Sequence, residues 1–297
     1  MTANRLDVAL VSCAELPEPD PDAAPLAAAL AQSGIASEVL AWDDPQTDWS
    51  RAKLTVLRSA WNYPQHRDAF LAWAERTAEV STLWNPLDVV RWNTYKGYLL
   101  ELEERGLPVT PTELIRRGAE VSLEQLLDRR DWPEVVVKPA VSAASFRTLR
   151  VSNDNLAEGE THLQSLLAER DVLVQRYLSS VETYGERALV WIDGELTHAI
   201  RKSPRFEGQD ESVSSVAVPI THAESELARR VIDAVGTPLL YARVDVAPGP
   251  EGDPVLMELE LVEPSLFFPQ GPAALERFVA GIRLRLRTPP AGAVSAR

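Results

Sequence analysis

The chain has 297 residues, of which 45% are hydrophobic, and a formal net charge of −14 at pH 7. This length predicts two or three packed units with a proper core. The acidic surface disfavours nucleic acid and anionic lipid as partners, and one cysteine (Cys13) with four histidines argues against a disulfide framework or a zinc site. Since no segment reads as a signal peptide or a membrane span, a cytoplasmic protein is expected.

The first unit, residues 1–88, reads as a βαβ domain. Apolar strands are predicted at 6–12, 35–41 and 54–58, with helices at 23–33 and 66–79. Strand, helix, strand at this spacing indicates a parallel sheet. Arg58, Trp61 and Tyr63 follow the third strand, at the edge where open parallel sheets bind ligands, and are candidates for binding a substrate carboxylate. Alternatively, Trp61 and Tyr63 pack against the following helix.

The second unit, residues 89–174, carries a candidate phosphate site. Helices are predicted at 94–105, 123–129 and 155–169, and strands at 134–139 and 171–177. Lys138 ends an apolar strand, and the small-residue loop after it, with Ser142 and Ser145, could offer backbone N–H groups to phosphates. The alternative is a solvated lysine at a strand end. Neither GxxxxGK[ST] nor GxGxxG occurs.

The third unit, residues 175–290, begins at a strand end that could line an adenine, with Glu182 and Glu186 near enough for ribose hydroxyls. The alternative is an ordinary strand end. A hairpin over 187–201 turns at Asp-Gly, and a helix at 224–235 ends at Gly236. Two strands at 239–246 and 254–261 and a helix at 273–286 complete the unit, and residues 291–297 are expected to fray.

Three carboxylates are predicted to converge on the last two strands. Glu258 and Glu260 share one strand face, with Met257, Leu259 and Leu261 on the opposite, core face. Asp245 can lie opposite the acidic pair on the neighbouring strand. Carboxylate oxygens suit Mg²⁺, which completes its shell with nucleotide phosphates and water. The alternative is a polar strand face in contact with water.

Taken in chain order, these features resemble the ATP-grasp superfamily. The resemblance covers residues 85–286 and implies an α/β fold of two α+β subdomains that grip ATP, preceded by the N-terminal βαβ domain. It implies that Lys96, on its helix, and Lys138 contact phosphates, and that Glu186 or Glu182 holds the ribose. The residues implied to face adenine are Gln175, Arg176, Tyr177 and Leu178. Those implied to bind Mg²⁺, or alternatively Mn²⁺, are Asp245, Glu258 and Glu260.

The chain departs from the superfamily pattern in two places. Many members have asparagine where this chain has Glu260, which leaves the number of bound metals open. Ala143-Ala144 stands where glycine is frequent, which could restrict closure of the loop over the γ-phosphate.

Within the superfamily, the chain is most similar to the O-ureido-serine cyclo-ligases of cycloserine biosynthesis, through segments 58–63, 84–86, 90–96 and 257–267. The resemblance implies ATP-dependent activation of a small amino acid derivative through an acylphosphate, followed by ring closure with release of ADP, phosphate, CO2 and ammonia. Arg243, with Arg201 or Lys202, would neutralise the transferring phosphoryl group.

Three alternatives to cyclisation stay open at this point. One is an intermolecular ligase that joins an amino acid or peptide carboxylate to an amine. Another is a non-catalytic ATP-binding protein. A carbohydrate-active enzyme is less consistent with the sequence, because its acids would lie on different elements across a cleft. The sequence does not exclude a homodimer.

Overall fold

The computed structural model describes residues 5–143, 145–203 and 212–287, and that part of the chain forms three four-stranded sheets. The predicted frayed tail, 291–297, and Ala144 lie outside the described residues. No helix within the described ranges has the length and apolarity that a membrane span requires.

The first sheet is parallel, with strand order β2-β1-β3-β4, and confirms the predicted βαβ unit. Its strand β1 is buried along nearly its whole length, as expected for a parallel strand covered on both faces. Aromatic side chains from a helix and two loops pack on one face of the sheet. The elements of this region are β1 (Leu6–Ser12), α1 (Ala23–Gln32), β2 (Ser37–Ala41), β3 (Ala52–Ser59), α2 (Arg67–Val80) and β4 (Thr82–Trp84).

The second sheet is antiparallel, with order β5-β8-β6-β7. Two helices precede it in the chain, and two more lie on one of its faces. The sequence analysis missed both of its edge strands, β5 and β7, because each is only four residues long. The elements are α3 (Leu87–Asn93), α4 (Tyr98–Glu104), β5 (Thr112–Ile115), α5 (Leu123–Arg130), β6 (Glu134–Pro139), β7 (Leu149–Ser152), α6 (Leu156–Leu167) and β8 (Val172–Arg176).

The third sheet is also antiparallel, with order β10-β9-β11-β12. Its long helix α8 starts at a reciprocal capping box between Thr221 and Glu224 and ends at Gly236, whose φ of 69° favours glycine. The elements are α7 (Ser180–Thr183), β9 (Glu186–Ile192), β10 (Glu195–Lys202), α8 (His222–Val235), β11 (Tyr241–Pro248), β12 (Pro254–Glu260) and α9 (Pro272–Arg287).

The hydrophobic cores cross between the sheets. Val8 and Val56 of the first sheet pack in one cluster with Val190 and Phe278 of the third region. Leu173 of the second sheet belongs to a cluster with strands of the third sheet. The predicted unit boundaries at 88 and 174 therefore stay predictions, because buried contacts continue across both of them.

The helix predicted over 94–105 is divided. α3 ends at Asn93 and α4 begins at Tyr98, so Lys96 lies in the turn between two helices and not on a helix. The Lys96 backbone N–H donates to the Ala140 carbonyl at 2.8 Å, which ties this turn to the end of β6. That bond replaces an intrahelical one and accounts for the break.

Candidate active site

A cavity of about 220 Å³ lies between the second and third sheets and is bordered by residues of the N-terminal region. Fifteen of the side chains predicted as site residues line it, although they come from all three regions of the chain. They are Trp61, Lys96, Lys138, Ser142, Ser145, Gln175, Arg176, Tyr177, Leu178, Glu186, Lys202, Arg243, Asp245, Glu258 and Glu260.

The register of β11 and β12 brings the three predicted metal ligands together. Asp245 pairs with Glu258 across the two strands, and Arg243 pairs with Glu260. Leu259, between the two glutamates, is 1% exposed and packs in the core. Alternation along an antiparallel strand therefore directs both glutamates into the cavity while their neighbour fills the interior.

One residue of β12 departs from this alternation. Met257 was expected to face the core with Leu259, but it lines the cavity. The pairing shifts between Asp245 and Val246, since Asp245 faces Glu258 while Val246 faces Leu256. Met257 is thus the extra residue of a β-bulge, and a bulge redirects a side chain out of the period-two pattern.

Two polar side chains from α3 and α4 fix the position of β12. The Asn93 amide donates to the Leu259 carbonyl and accepts from the Leu261 N–H, both at 2.8 Å. The Tyr98 hydroxyl donates to the Leu259 carbonyl and accepts from the Leu259 N–H, both at 2.9 Å. The backbone between Glu258 and Glu260 is therefore held from its outer side, which orients both carboxylates before any ligand binds.

Lysines and arginines neutralise the carboxylates of the cavity. Lys96 pairs with Glu258, and the Lys138 ammonium lies 3.9 Å from the same carboxylate. Lys202 reaches Asp245 at 2.8 Å and Glu186 at 2.6 Å. The result is a network of alternating charge in which all three lysines line the cavity.

Arg243 joins two of the acids. Its guanidinium donates to both oxygens of Asp245, with shortest distances of 2.9 Å, and also pairs with Glu260. Its second terminal nitrogen donates to the Ser265 carbonyl at 3.3 Å. A planar guanidinium held in this way is suited to exchange one carboxylate partner for phosphate oxygens.

The ionisation of the acids follows their cation partners. Burial alone would raise the pKa of Asp245, but Arg243 and Lys202 outweigh it and lower that pKa. Burial would likewise raise the pKa of Glu258, but the charges of Lys96 and Lys138 outweigh burial and lower that pKa. For Glu260 burial wins over Arg243 and raises the pKa to about 8. Burial also lowers the pKa of Lys138.

The carboxylates match Mg²⁺ in chemistry but do not form a ready metal cluster. Within the described ranges, no three Asp, Glu, His or Cys side chains are arranged to hold a metal ion. Lysine and arginine side chains separate Asp245, Glu258 and Glu260 instead. Their hard oxygen donors, their common face and their position at the cavity nevertheless fit a magnesium ion that arrives with a nucleotide.

The opposite wall of the cavity combines small and apolar residues. Ser142 and Ser145 lie in the loop after Lys138, and Ser145 has φ of 58°. Gln175 is buried, and its amide donates to the Thr112 hydroxyl at 2.9 Å. Apolar side chains that sequence reasoning did not assign, Val136 and Met257, also line the cavity and are suited to contact an aromatic base.

Four predicted site residues lie outside the cavity. Arg201 points away from it because neighbouring residues of a strand alternate, so its partner Lys202 occupies the inner face. Glu182 is exposed and pairs with Arg150 at 2.6 Å. Of the two glutamates expected near the ribose, Glu186 is therefore the one that lines the cavity.

Arg58 and Tyr63 are buried in the N-terminal region. Arg58 is 4% exposed and donates to Asp22 at 3.4 Å and to the Pro264 carbonyl at 3.1 Å. Tyr63 is 3% exposed and packs on Phe70. The predicted substrate contact of Arg58 is therefore corrected to a contact that holds the protein together, because β3 directs this side chain toward the third region.

Several cavity residues were not singled out from the sequence. Glu263 and Ser265 follow β12 in a segment without regular periodicity, so no alternation rule could assign them a face. The full set that was missed is Glu18, Thr110, Val136, Ala143, Thr148, Val181, Ser203, Met257, Glu263 and Ser265.

Comparisons with known proteins agree with this architecture. A family model described as the N-terminal domain of D-cycloserine synthetase DcsG matches residues 8–85. The cycloserine biosynthesis protein DcsG of Streptomyces lavendulae is 32% identical over 286 residues, which are 90% of this chain and 95% of that protein. The crystal structure of D-cycloserine synthetase DcsG matches with a TM-score of 0.86 at 32% identity, over 94% of this chain and 99% of that chain.

More distant structures share the fold. D-alanyl-alanine synthetase A from Vibrio cholerae O1 has a TM-score of 0.71 at 14% identity, over 96% of this chain and 99% of that chain. The ATP-grasp ligase PsnB, complexed with minimal precursor, Mg and ADP, has a TM-score of 0.61 at 16% identity, over 93% and 98%. The chain therefore belongs to the D-cycloserine synthetase DcsG family, and it is an ATP-grasp ligase.

Proposed function

We propose that this ATP-dependent ligase activates the carboxylate of O-ureido-serine as an acylphosphate and closes the molecule to cycloserine. The observation that carries the proposal is the 32% identity with the Streptomyces lavendulae cycloserine biosynthesis protein over 90% of the chain. The cavity supports it, because its cations are placed to neutralise a phosphoryl group.

The nucleotide would lie along the second sheet. Lys96 and Lys138 would bind its phosphates, and the apolar wall beside Tyr177 and Leu178 would take the adenine. Glu186 would accept from the ribose hydroxyls once Lys202 turns to phosphate. The complex of PsnB with Mg and ADP supports this assignment by its shared fold.

Asp245, Glu258 and Glu260 would hold Mg²⁺, which supplies charge neutralisation at the β- and γ-phosphates when bound. Lys202 and Arg243, released from part of their carboxylate contacts, would then face the transferring phosphoryl group. The strands that carry these side chains hold them at the cavity in advance.

The reaction proceeds in three steps, and the bonds formed and broken balance in each. A carboxylate oxygen of the substrate attacks the γ-phosphorus, and the bond to the ADP oxygen breaks. The oxygen-linked nitrogen of the same molecule attacks the acyl carbon, phosphate leaves, and the five-membered ring closes. Water removes the carbamoyl group as CO2 and ammonia. Because nucleophile and electrophile belong to one molecule, orientation alone supplies much of the acceleration.

An ADP-release assay with O-ureido-serine as the sole organic substrate tests the proposal. We expect ADP and cycloserine in equal amounts, detected by coupled spectrophotometry and mass spectrometry. If ADP appears only after an amine acceptor is added, the enzyme joins two molecules and the cyclisation proposal is wrong. The likeness to D-alanyl-alanine synthetase A makes that intermolecular reaction the second candidate.

A further inference from the structure

Glu263 is a buried acid of the cavity that has no cation partner. It is 9% exposed and lines the cavity, yet no ion pair to it forms within the described part of the chain. Four other acids of the same cavity each pair with a lysine or an arginine: Glu186, Asp245, Glu258 and Glu260. Glu263 is therefore distinguished from them by an unmet need for positive charge.

The segment that carries Glu263 is fixed by residues of the N-terminal region and of β11. The Trp61 indole N–H donates to the Glu263 carbonyl at 2.9 Å, and the Tyr241 hydroxyl donates to the Val262 carbonyl at 2.9 Å. Asp22 accepts from the Leu266 N–H at 2.6 Å. The backbone that carries the Glu263 carboxyl is therefore held in place on both sides.

A buried carboxylate without a cation is costly in free energy. Burial raises the pKa of Glu263 to about 7, against the lowering effects of Lys96 and the Tyr63 hydroxyl. A cationic ligand group at this point would offset the cost, because a charge-assisted hydrogen bond is stronger than a neutral one. The structure thus presents a place for a positive group of a ligand and not for a phosphate.

The location fits the amino group of an α-amino acid. Arg243, which would neutralise the phosphoryl group on the substrate carboxylate, also contacts the Ser265 carbonyl at 3.3 Å, two residues after Glu263. In an α-amino acid the ammonium is one carbon away from the carboxylate. A substrate whose carboxylate faces Arg243 can therefore turn its ammonium toward Glu263, beside Trp61 and Tyr63.

We propose that Glu263 binds the protonated α-amino group of the substrate and so selects α-amino acids over other carboxylic acids. This inference rests on the proposed function, in which the α-amino group takes no part in ring closure. Glu263 is a specificity residue that also orients the carboxylate for phosphorylation.

The test compares two substrates and three enzymes. kcat/KM for ADP release is measured with O-ureido-serine and with its analogue that lacks the α-amino group, for the wild type, Glu263→Gln and Glu18→Gln. We expect the wild type to prefer the amino acid by about 50-fold, the size expected of one hydrogen bond to a charged group. In Glu263→Gln the preference should fall to about 3-fold, with KM for ATP changed less than about 2-fold.

Glu18→Gln is the matched control, because Glu18 lines the same cavity from the N-terminal region. It should retain the preference of the wild type. The inference is overturned if Glu263→Gln keeps the full preference, or if Glu18→Gln removes it instead. A wild type that releases no ADP from O-ureido-serine overturns the proposed function, and this inference with it, before any variant is measured.

A second variant covers the case in which Glu263→Gln does not fold, judged by its thermal melting. Glu263→Asp keeps the charge but shortens its reach by one methylene. It should lower the preference for the amino acid by about 10-fold, since hydrogen-bond strength falls steeply with distance. An unchanged preference in a folded Glu263→Asp would contradict the assignment.

Discussion

Two buried arginine–aspartate pairs in this protein have opposite surroundings. Arg58 and Asp22 are enclosed: the rings of Tyr241, Phe268 and Phe278 surround the guanidinium at 5.5 to 5.9 Å, and Asp22 is fully buried. Arg243 and Asp245 are as little exposed, at 5% and 1%, but both line the cavity. The two pairs are similarly buried, but only the pair of Arg243 and Asp245 borders a cavity that a ligand can enter.

The two pairs also differ in whether their hydrogen-bond partners can be exchanged for a ligand. The carboxylate of Asp22 accepts backbone N–H groups of Leu266 and Phe268, at 2.6 and 2.7 Å, so its bonds hold a chain segment in place. The hydrogen bonds of Asp245 to Lys202 and Arg243 are to side chains and not to backbone groups. A pair that fixes backbone contributes to stability, whereas a pair of side chains facing a cavity can open for a substrate.

The largest effect should come from Glu258→Gln, which removes the acid that pairs with Lys96 in the cavity. We expect ADP formation to fall by at least about 10,000-fold, because metal and phosphate binding lose their charge balance. The melting temperature should change by less than about 4 °C. ADP release and differential scanning calorimetry check both. Glu75→Gln, in an exposed pair with Arg91, should leave both values unchanged, and ADP production retained by Glu258→Gln would contradict the metal role.

The enclosed pair should respond in the opposite way. Asp22→Asn leaves Arg58 buried without its counter-ion, and we expect the free energy of unfolding to fall by about 4 kcal/mol. Urea unfolding followed by tryptophan fluorescence measures it. Asp7→Asn, the same change in an exposed pair with Lys53, should cost less than about 1 kcal/mol. Equal losses of unfolding free energy in the two variants would show that the enclosed pair of Arg58 and Asp22 contributes no more to stability than an exposed pair.

The titration of Glu263, which lines the cavity, should make the free energy of unfolding depend on pH. Burial raises its pKa from 4.5 to about 7 in the folded state, so the stability it contributes is present below pH 4.5 and lost as pH rises toward 7. Relative to Glu263→Gln, the wild type should lose about 3 kcal/mol of unfolding free energy across this range. Parallel unfolding curves at pH 4.5, 5.5 and 7 test this. A constant difference between wild type and variant would show that the carboxyl does not titrate there.

The smallest effect separates two neighbours on β10. Lys202→Met should lower kcat/KM for ATP by about 100-fold, since Lys202 faces the cavity acids. Arg201→Met, on the opposite face, should change it by less than about 3-fold. Steady-state kinetics at saturating amino acid compare the two. Similar losses would restore Arg201 to the site, as the sequence first suggested.

Periodic patterns predicted the parts of the site that lie on regular strands. The alternation of Glu258, Leu259 and Glu260 fixed their faces, and Asp245 was placed opposite them by strand pairing alone. Gly236 marked the end of a helix where the structure has it. These features depend on local sequence, so a single chain reveals them.

Other features depend on contacts between distant segments. The turn at Lys96 exists because its N–H bonds Ala140, and the bulge at Met257 depends on how β11 and β12 pair. Arg58 and Arg243 both end up buried on strands, and nothing in their neighbouring residues shows which one meets a cavity. Glu263 follows its strand without a periodic pattern, so only the folded chain places it.

The side chains of Asn93 and Tyr98 have a consequence for assembly. β12 is the edge of its sheet, and an uncovered edge strand offers unpaired N–H and C=O groups to strands of other molecules. Here Asn93 and Tyr98 occupy those of Leu259 and Leu261, and segment 108–110 bonds Leu256 from both sides at 2.8 Å. The strand that bears Glu258 and Glu260 is closed to strand addition, so a homodimer would have to use another surface.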